Sequence, residues 1–150
     1  VLALGIDSAI VGTLAVRAPP ALERALARFR RERVQLGLDA REGRVAVQGW
    51  AEDTALDALA FARQWRARGV ARIVFTDIAR DGMLQGPNLE AIGAFARASG
   101  VRVTASGGVT ALADGQALAA LEPDGVDRII IGKALYEGAL RMEALAAFNR

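Results

Sequence analysis

The sequence contains no cysteine. Disulfides, thiolate metal sites and cysteine nucleophiles are thereby excluded, and a reducing compartment is compatible with the chain. Histidine is absent as well, which removes the commonest general base and the commonest metal ligand. Acid–base chemistry is left to Asp, Glu, Lys or the single Tyr. Aromatic residues make up only 5% of the 150 positions. Packing must therefore rest on aliphatic side chains and the abundant alanine, which suits close contact between helices and a sheet. No apolar run reaches the length of a membrane span, and no signal peptide is expected ahead of the core. Neither sign of charge dominates, since 19 Lys and Arg against 17 Asp and Glu leave +2. The one basic cluster, Arg28-Phe29-Arg30-Arg31-Glu32-Arg33, reads as the solvated end of a helix, where cations favour the dipole. Aromatic interleaving is too sparse there for a nucleic-acid patch, so neither a nucleic acid nor a membrane is expected as a partner.

What the sequence does hold is one phrase stated twice. Gly5-Ile6-Asp7-Ser8-Ala9-Ile10-Val11-Gly12-Thr13 and Gly125-Val126-Asp127-Arg128-Ile129-Ile130-Ile131-Gly132-Lys133 carry Gly, Asp, Ile and Gly in step. A short Ile/Val run without alternation fits a strand buried on both faces. The Gly that follows lets the backbone turn tightly and offer N–H groups to an anion. A Gly-X-Asp, apolar run and Gly is also how an ordinary parallel strand reads. Two copies far apart point beyond that, to a duplicated α/β chain with two anion sites and a substrate phosphorylated at each end.

Between the copies, strands and amphipathic helices alternate. Strands are predicted at Asp7–Val11, Val34–Leu38, Arg72–Thr76, Val101–Ala105 and Arg128–Ile131, with Gly43–Trp50 as a hairpin arm or extended loop. One helix starts at Pro19-Pro20 and places Leu22, Ala25, Leu26 and Phe29 on one stripe. A second is capped by Asp53 or Thr54, buries Ala58, Phe61, Ala62 and Trp65, and ends at Gly69. A third is capped by Asn88 and stopped by Gly100. Residues 110–121 form another, before the Pro123-Asp124-Gly125 turn, and Tyr136–Phe148 closes as one helix or two.

The pattern is βαβ throughout, hence an α/β fold with about five parallel strands. Either a doubly wound sheet or part of a (β/α)8 barrel would satisfy it. A barrel needs eight strands and roughly 250 residues. The long polar segments nevertheless follow the C-terminal ends of strands, where a barrel keeps its function. The expected architecture is a partial (β/α)8 barrel, strands 4–8, with residues 1–150 forming the C-terminal portion of one domain and strands 1–3 absent. Val1-Leu2-Ala3-Leu4-Gly5 reads as the end of a helix rather than a beginning.

Several residues could carry chemistry. Asp39 ends a predicted strand, on the same side as Gln35 and a small Gly37 that leaves room beneath it; an Asp capping the next turn is the rival reading. Thr76, Asp77 and Asp81 lie on the next strand and its loop, although Asp81-Gly82 also reads as a plain turn. Two carboxylates on one rim make carboxylate proton transfer the economical chemistry. Ser106-Gly107-Gly108 and Gly132-Lys133 follow consecutive strands, as in the phosphate cup after the last two strands of many barrels. Trp50 lies in a loop and could stack on a planar base, whereas Trp65 sits at core spacing.

These segments stand in a recognisable order: Leu38-Asp39-Ala40-Arg41, Gln48-Gly49-Trp50, Thr76-Asp77-Ile78-Ala79-Arg80-Asp81-Gly82, Leu84-Gln85-Gly86-Pro87-Asn88, Ala105-Ser106-Gly107-Gly108-Val109 and Ile131-Gly132-Lys133-Ala134-Leu135. The whole chain resembles the ProFAR isomerase family of histidine biosynthesis. The resemblance implies a duplicated barrel with two phosphate sites, and an Amadori rearrangement that turns an aminoaldose into an aminoketose. It implies Asp39 as general acid, with Thr76 and Asp81 assisting ring opening and holding the substrate. It implies Gly107, Gly108, Gly132 and Lys133 as one phosphate cup and Gly12 and Thr13 as half of the other, with Trp50 at the substrate and neither metal nor cofactor.

The family's base is an Asp on the first strand, and its first Gly-Gly turn follows the third; this sequence has neither segment. Asp7 and Asp127 precede their strands, on the stability face, and cannot substitute. Met83 stands where the family more often has Thr. The chain alone is therefore expected to be inactive, and exposed sheet edges make self-association, or pairing with an N-terminal half, its expected partnership. A cytoplasmic enzyme acting on a bisphosphorylated small molecule is expected. The cyclase subunit of imidazole glycerol phosphate synthase shares the Arg-Asp-Gly segment and is the alternative, as is a non-catalytic phosphate-binding half-barrel. Whether the parent enzyme also serves tryptophan synthesis stays open.

Overall fold

The computed structural model describes residues 2–47 and 52–146. A 3-10 turn at Leu2–Leu4 leads into strand β1 (Ala9–Val11), helices α1 (Thr13–Arg17) and α2 (Pro19–Arg28), and β2 (Val34–Arg41). A hairpin, β3 (Arg44–Val47) and β4 (Glu52–Asp57), precedes α3 (Ala58–Ala67) and β5 (Arg72–Asp77). Then come α4 (Leu89–Ser99), β6 (Arg102–Ser106), α5 (Leu112–Ala119), β7 (Val126–Ile130), α6 (Lys133–Tyr136) and α7 (Met142–Leu145). No helix among the described residues is long and apolar enough to cross a membrane.

The parallel strands lie in chain order. β1 pairs with β2, β2 with β5, β5 with β6 and β6 with β7, all parallel. A doubly wound sheet reverses its strand order at a switch point; this one never does, as an arc of a barrel requires. The five parallel strands expected from the sequence are all present. Alternation then assigns faces. Leu36, Leu38, Ile73, Phe75, Val103 and Ala105 point outward and are buried. They pack beneath the helices, Phe75 stacking on Phe95 of α4 with ring centroids 4.2 Å apart. The helix stripe that contains Ala58, Phe61, Ala62 and Trp65 is buried as predicted. The Trp65 Nε1 is buried without a hydrogen-bond partner among the described residues, so the indole serves by volume.

The structure corrects the start of α3. Neither Asp53 nor Thr54 caps a helix, because Glu52–Asp57 is a strand, antiparallel to β3. The Thr54 hydroxyl donates to the Val45 carbonyl at 2.7 Å and Arg44 donates to the Ala55 carbonyl at 2.8 Å. The cap is Asp57, whose side chain accepts from Ala60 N at 2.7 Å. The hairpin reading of the preceding segment holds. The turn that joins its arm β3 to β2, Glu42-Gly43, has both φ angles positive, at 49° and 76°, which matches the twist of the flanking strands.

Two further readings change. Arg33 is not simply solvated: its guanidinium donates to the carbonyls of Leu2, Ile6 and Asp7, tying the N-terminal segment to the 3-10 turn at Arg31–Arg33. Asp127 does not precede β7 but lies within it, where its carboxylate accepts two hydrogen bonds from Arg72. It remains at the N-terminal end of the sheet, away from the loops that carry the candidate site.

The Arg72 bonds, and after burial has opposed them the charges of Arg72, Arg102 and Arg128, hold the Asp127 carboxyl below its ordinary 3.8. A carboxyl depressed by folding stabilises the fold above its unfolded pKa, and that contribution is lost as pH falls through the folded value. Asp127→Asn should therefore lower stability by about 2 kcal/mol at pH 7. Urea denaturation should show the gap between the two proteins closing as the pH is lowered from about 4 towards 2.

Candidate functional site

The C-terminal ends of the parallel strands are level: the register runs in step from β1 to β6, and β7 joins it after a one-residue irregularity opposite Val103 and Thr104. Asp39 stands opposite Thr76, Thr76 opposite Ser106, and Ser106 opposite Ile130. Neighbouring strands lie about 4.8 Å apart, so these side chains form a row on the inner face. The row contains two of the residues marked from sequence. Ser106, noted only as part of its Gly-Gly motif, becomes a member through register alone.

Asp39 lines a cavity of about 190 Å³ together with Gly12, Thr13, Gly37 and Val74. The space beside Gly37 is not empty: a Cβ there would lie 3.0 Å from Ile10 Cγ2 and 3.6 Å from Gly12 Cα. The small residue thus admits β1 rather than leaving a void. Asp39 and the first Gly turn are consequently neighbours around one cavity.

The repeated phrase is reproduced in the backbone. Gly12 has φ −100° and ψ −100°, and Gly132 has φ −113° and ψ −95°. Each follows a strand, precedes a short helix and accepts a hydrogen bond from the residue three positions on, Ala15 or Leu135. The likeness noticed in the residues is therefore a likeness of turn geometry.

Gly107 and Gly108 have φ +94° and +81°. Their lack of side chains is used up by contact. A Cβ on Gly107 would lie 2.9 Å from the Asp77 carbonyl oxygen, and one on Gly108 2.5 Å from that of Gly86. The Gly-Gly turn is thus wedged under the β5–α4 loop, and Gly107 lies against Asp81 of that loop. Lys133 reaches the same loop from the other side. Its Nζ donates to the Gly82 carbonyl at 3.0 Å and approaches Glu137 Oε1 at 3.6 Å.

Asp114 limits where an anion could sit. Its carboxylate accepts from Thr110 N, Thr110 Oγ1 and Ala111 N at 2.7–2.9 Å. Burial works against its charge, yet the bonds from Thr110 and Ala111 hold the carboxyl below its ordinary 3.8. The N–H groups just ahead of α5, those of Thr110 and Ala111, therefore already serve an internal anion.

The structure thus brings Asp39, Thr76 and Asp81 onto one rim, with Gly12 and Thr13 at one end and Gly107, Gly108, Gly132 and Lys133 towards the other. Trp50 falls outside the described residues. A larger groove, of about 590 Å³, opens at the opposite ends of the strands between Arg31, Arg66, Arg97 and Asp124. It is remote from the row of candidate residues. Sequence reasoning used Asn88 only as a helix cap and gave Asp77 no role of its own. The two side chains in fact bond each other across the loop that holds Asp81, at 3.1 Å, a contact without a local sequence signal.

Comparison with known proteins places the chain in a family. The family model described as "Histidine biosynthesis protein" matches residues 1–141. The 1-(5-phosphoribosyl)-5-((5-phosphoribosylamino)methylideneamino)imidazole-4-carboxamide isomerase of Pelobacter propionicus is 49% identical over 146 residues, 97% of this chain and 59% of that protein. The isomerase of the same name from Geobacter sulfurreducens is 49% identical over 150 residues, 99% of this chain and 61% of that protein. The chain spans about six-tenths of the length of these curated relatives. With the match covering nearly its whole length, the chain belongs to the histidine biosynthesis protein family.

Proposed function

We propose that this chain supplies the acid, one phosphate cup and half of the other of a ProFAR isomerase, which carries out an Amadori rearrangement of a bisphosphorylated aminoaldose. The observation that carries the reading is the rim itself: Asp39 and Thr76 side by side, a Gly turn beside Asp39, and a Gly-Gly turn with Lys133 at the far end. Four strand spacings amount to roughly 19 Å along the curved rim, a span suited to a substrate phosphorylated at both ends. The names of relatives at 49% identity support the same reaction.

In this reading the Asp39 carboxyl gives a proton to the ring oxygen of the aminoaldose. The C1–O bond breaks and the nitrogen lone pair forms a C1=N bond. Removal of the C2 proton then moves the electrons of that C–H bond into C1=C2 as the C1=N pair returns to nitrogen, and the resulting enol loses its hydroxyl proton and gains one at C1 to give the C2 ketone. Thr76 and Asp81 hold the sugar through ring opening. Gly12 and Thr13 form half of one phosphate cup, and Gly107, Gly108, Gly132 and Lys133 form the other. Trp50 would stack on the planar imidazole. The base for the C2 proton comes, in this proposal, from strands 1–3 of the barrel, outside these 150 residues, and the open edges of β1 and β7 would receive them. As a biosynthetic step the reaction is assigned to the cytoplasm.

Turnover of ProFAR should be undetectable with the chain alone and should rise on mixing with a separately made N-terminal half-barrel from a relative. In the mixture, Asp39→Asn should cut turnover on the order of a thousandfold. Turnover by the chain alone would overturn the proposed origin of the base, and no turnover in either case would overturn the isomerase reading. Inorganic phosphate should slow amide exchange at 106–108 and 132–133. Gly108→Ala should abolish that protection and cost about 2 kcal/mol of stability, because the new Cβ meets the Gly86 carbonyl at a positive φ.

A further inference from the structure

The segment from Ile78 to Pro87 contains no regular element, yet it carries Asp81. Such a stretch would ordinarily be among the most mobile parts of a domain. Its two ends are joined. Asp77 closes β5 and Asn88 caps α4, eleven positions later. One carboxylate oxygen of Asp77 accepts from Ala79 N at 3.0 Å, and the other accepts from the Asn88 side-chain amide at 3.1 Å. The Asn88 side-chain oxygen in turn accepts from Ala91 N at 3.2 Å. The Asp77 main-chain carbonyl accepts from the amides of Arg80 and of Asp81 itself, at 3.0 and 3.1 Å.

Alternation turns Thr76 to the inner face and Asp77 away from it. Asp77 therefore does not face the substrate rim, and its effect must pass through the loop. A chain of hydrogen bonds across the loop's mouth costs little once the strand and helix are in place. It removes most of the freedom that the loop would otherwise keep. The Gly107 turn, packed against both the Asp77 carbonyl and Asp81, transmits the same placement to the adjacent strand.

We propose that Asp77 and Asn88 are positioning residues: their side-chain clasp closes the β5–α4 loop and fixes Asp81 on the rim beside Thr76 and the Gly-Gly turn. Its functional arm rests on the isomerase reading above; its structural arm does not.

The pair can be reversed, which makes the test sharp. Asp77→Asn sets an amide against an amide, and Asn88→Asp sets a carboxylate against a carboxylate. In the double variant D77N/N88D the amide at position 77 donates to the carboxylate at 88, which still caps α4. Amide hydrogen exchange of residues 78–87 in the 150-residue chain should quicken about tenfold in each single variant and return to within about threefold of the parent in the double variant. Asn88→Ser keeps a capping oxygen but has no amide to donate; it should quicken the loop as well and leave the amides of α4 unchanged.

In the reconstituted assay each single variant should lose about tenfold in kcat with KM changed less than threefold, and the double variant should recover it. Loop exchange unmoved by the single variants, or a double variant no better than the worse single, would overturn the clasp. Quickened exchange with unchanged kcat would overturn its role in positioning Asp81. If the parent chain shows neither phosphate protection nor turnover, the isomerase reading fails, while the exchange data still decide whether the clasp exists.

Discussion

The constraint on which this molecule depends is the level register of its parallel strands. Leu36, Leu38 and Ala40 must face the helices and be buried, so Gly37 and Asp39 must face the other way. The same reasoning turns Val74 and Thr76 inward on β5 and Thr104 and Ser106 inward on β6. Slipping any of these strands by one residue would exchange the two faces and drive Asp39 or Thr76 into the apolar layer. The hydrophobic requirement of the core and the presentation of the rim are thus one condition, met or lost together.

A second economy concerns glycine and charge. Gly107 and Gly108 do not simply relax the backbone; the oxygens of Asp77 and Gly86 occupy the space where their side chains would be. The Gly-Gly turn and the loop bearing Asp81 therefore fit as one body. Carboxylates are put to different uses, Asp77 and Asp114 at the C-terminal ends being engaged in local hydrogen bonds. Asp127, at the N-terminal ends, is consumed by Arg72 and serves stability, whereas Asp39, at the C-terminal ends, lines a cavity. Asp7 and Asp127 match in the repeat but not in use, since the Asp7 carbonyl, as an acceptor from Arg33, is what its copy contributes.

Much of this was legible because it is local. The Pro19-Pro20 start, the Asn88 cap and the Gly100 stop depend on a turn or two of chain, and each is where its residues place it. The rim candidates were legible because they end strands and strands announce themselves by apolar runs. The strand Glu52–Asp57 was not legible. Its Asp and Thr, ahead of the Ala-rich run of α3, resemble a helix cap, and only pairing with β3 makes it extended. The clasp between Asp77 and Asn88 was equally hidden, because an ordinary strand-end Asp and an ordinary helix cap meet only after the loop has folded back.

The sequence by itself therefore determined the α/β alternation, the repeated Gly turns and the family of the chain. The first two follow from short-range backbone preference and apolar periodicity, and the family from the resemblance carried by the ordered motifs along the chain. Tertiary structure alone decided which residues became neighbours: Ser106 beside Thr76, Gly12 beside Asp39, Asp77 bound to Asn88. Those relations rest on register and on loop closure, and both are settled only when distant segments compete for the same buried space and the same hydrogen-bond partners.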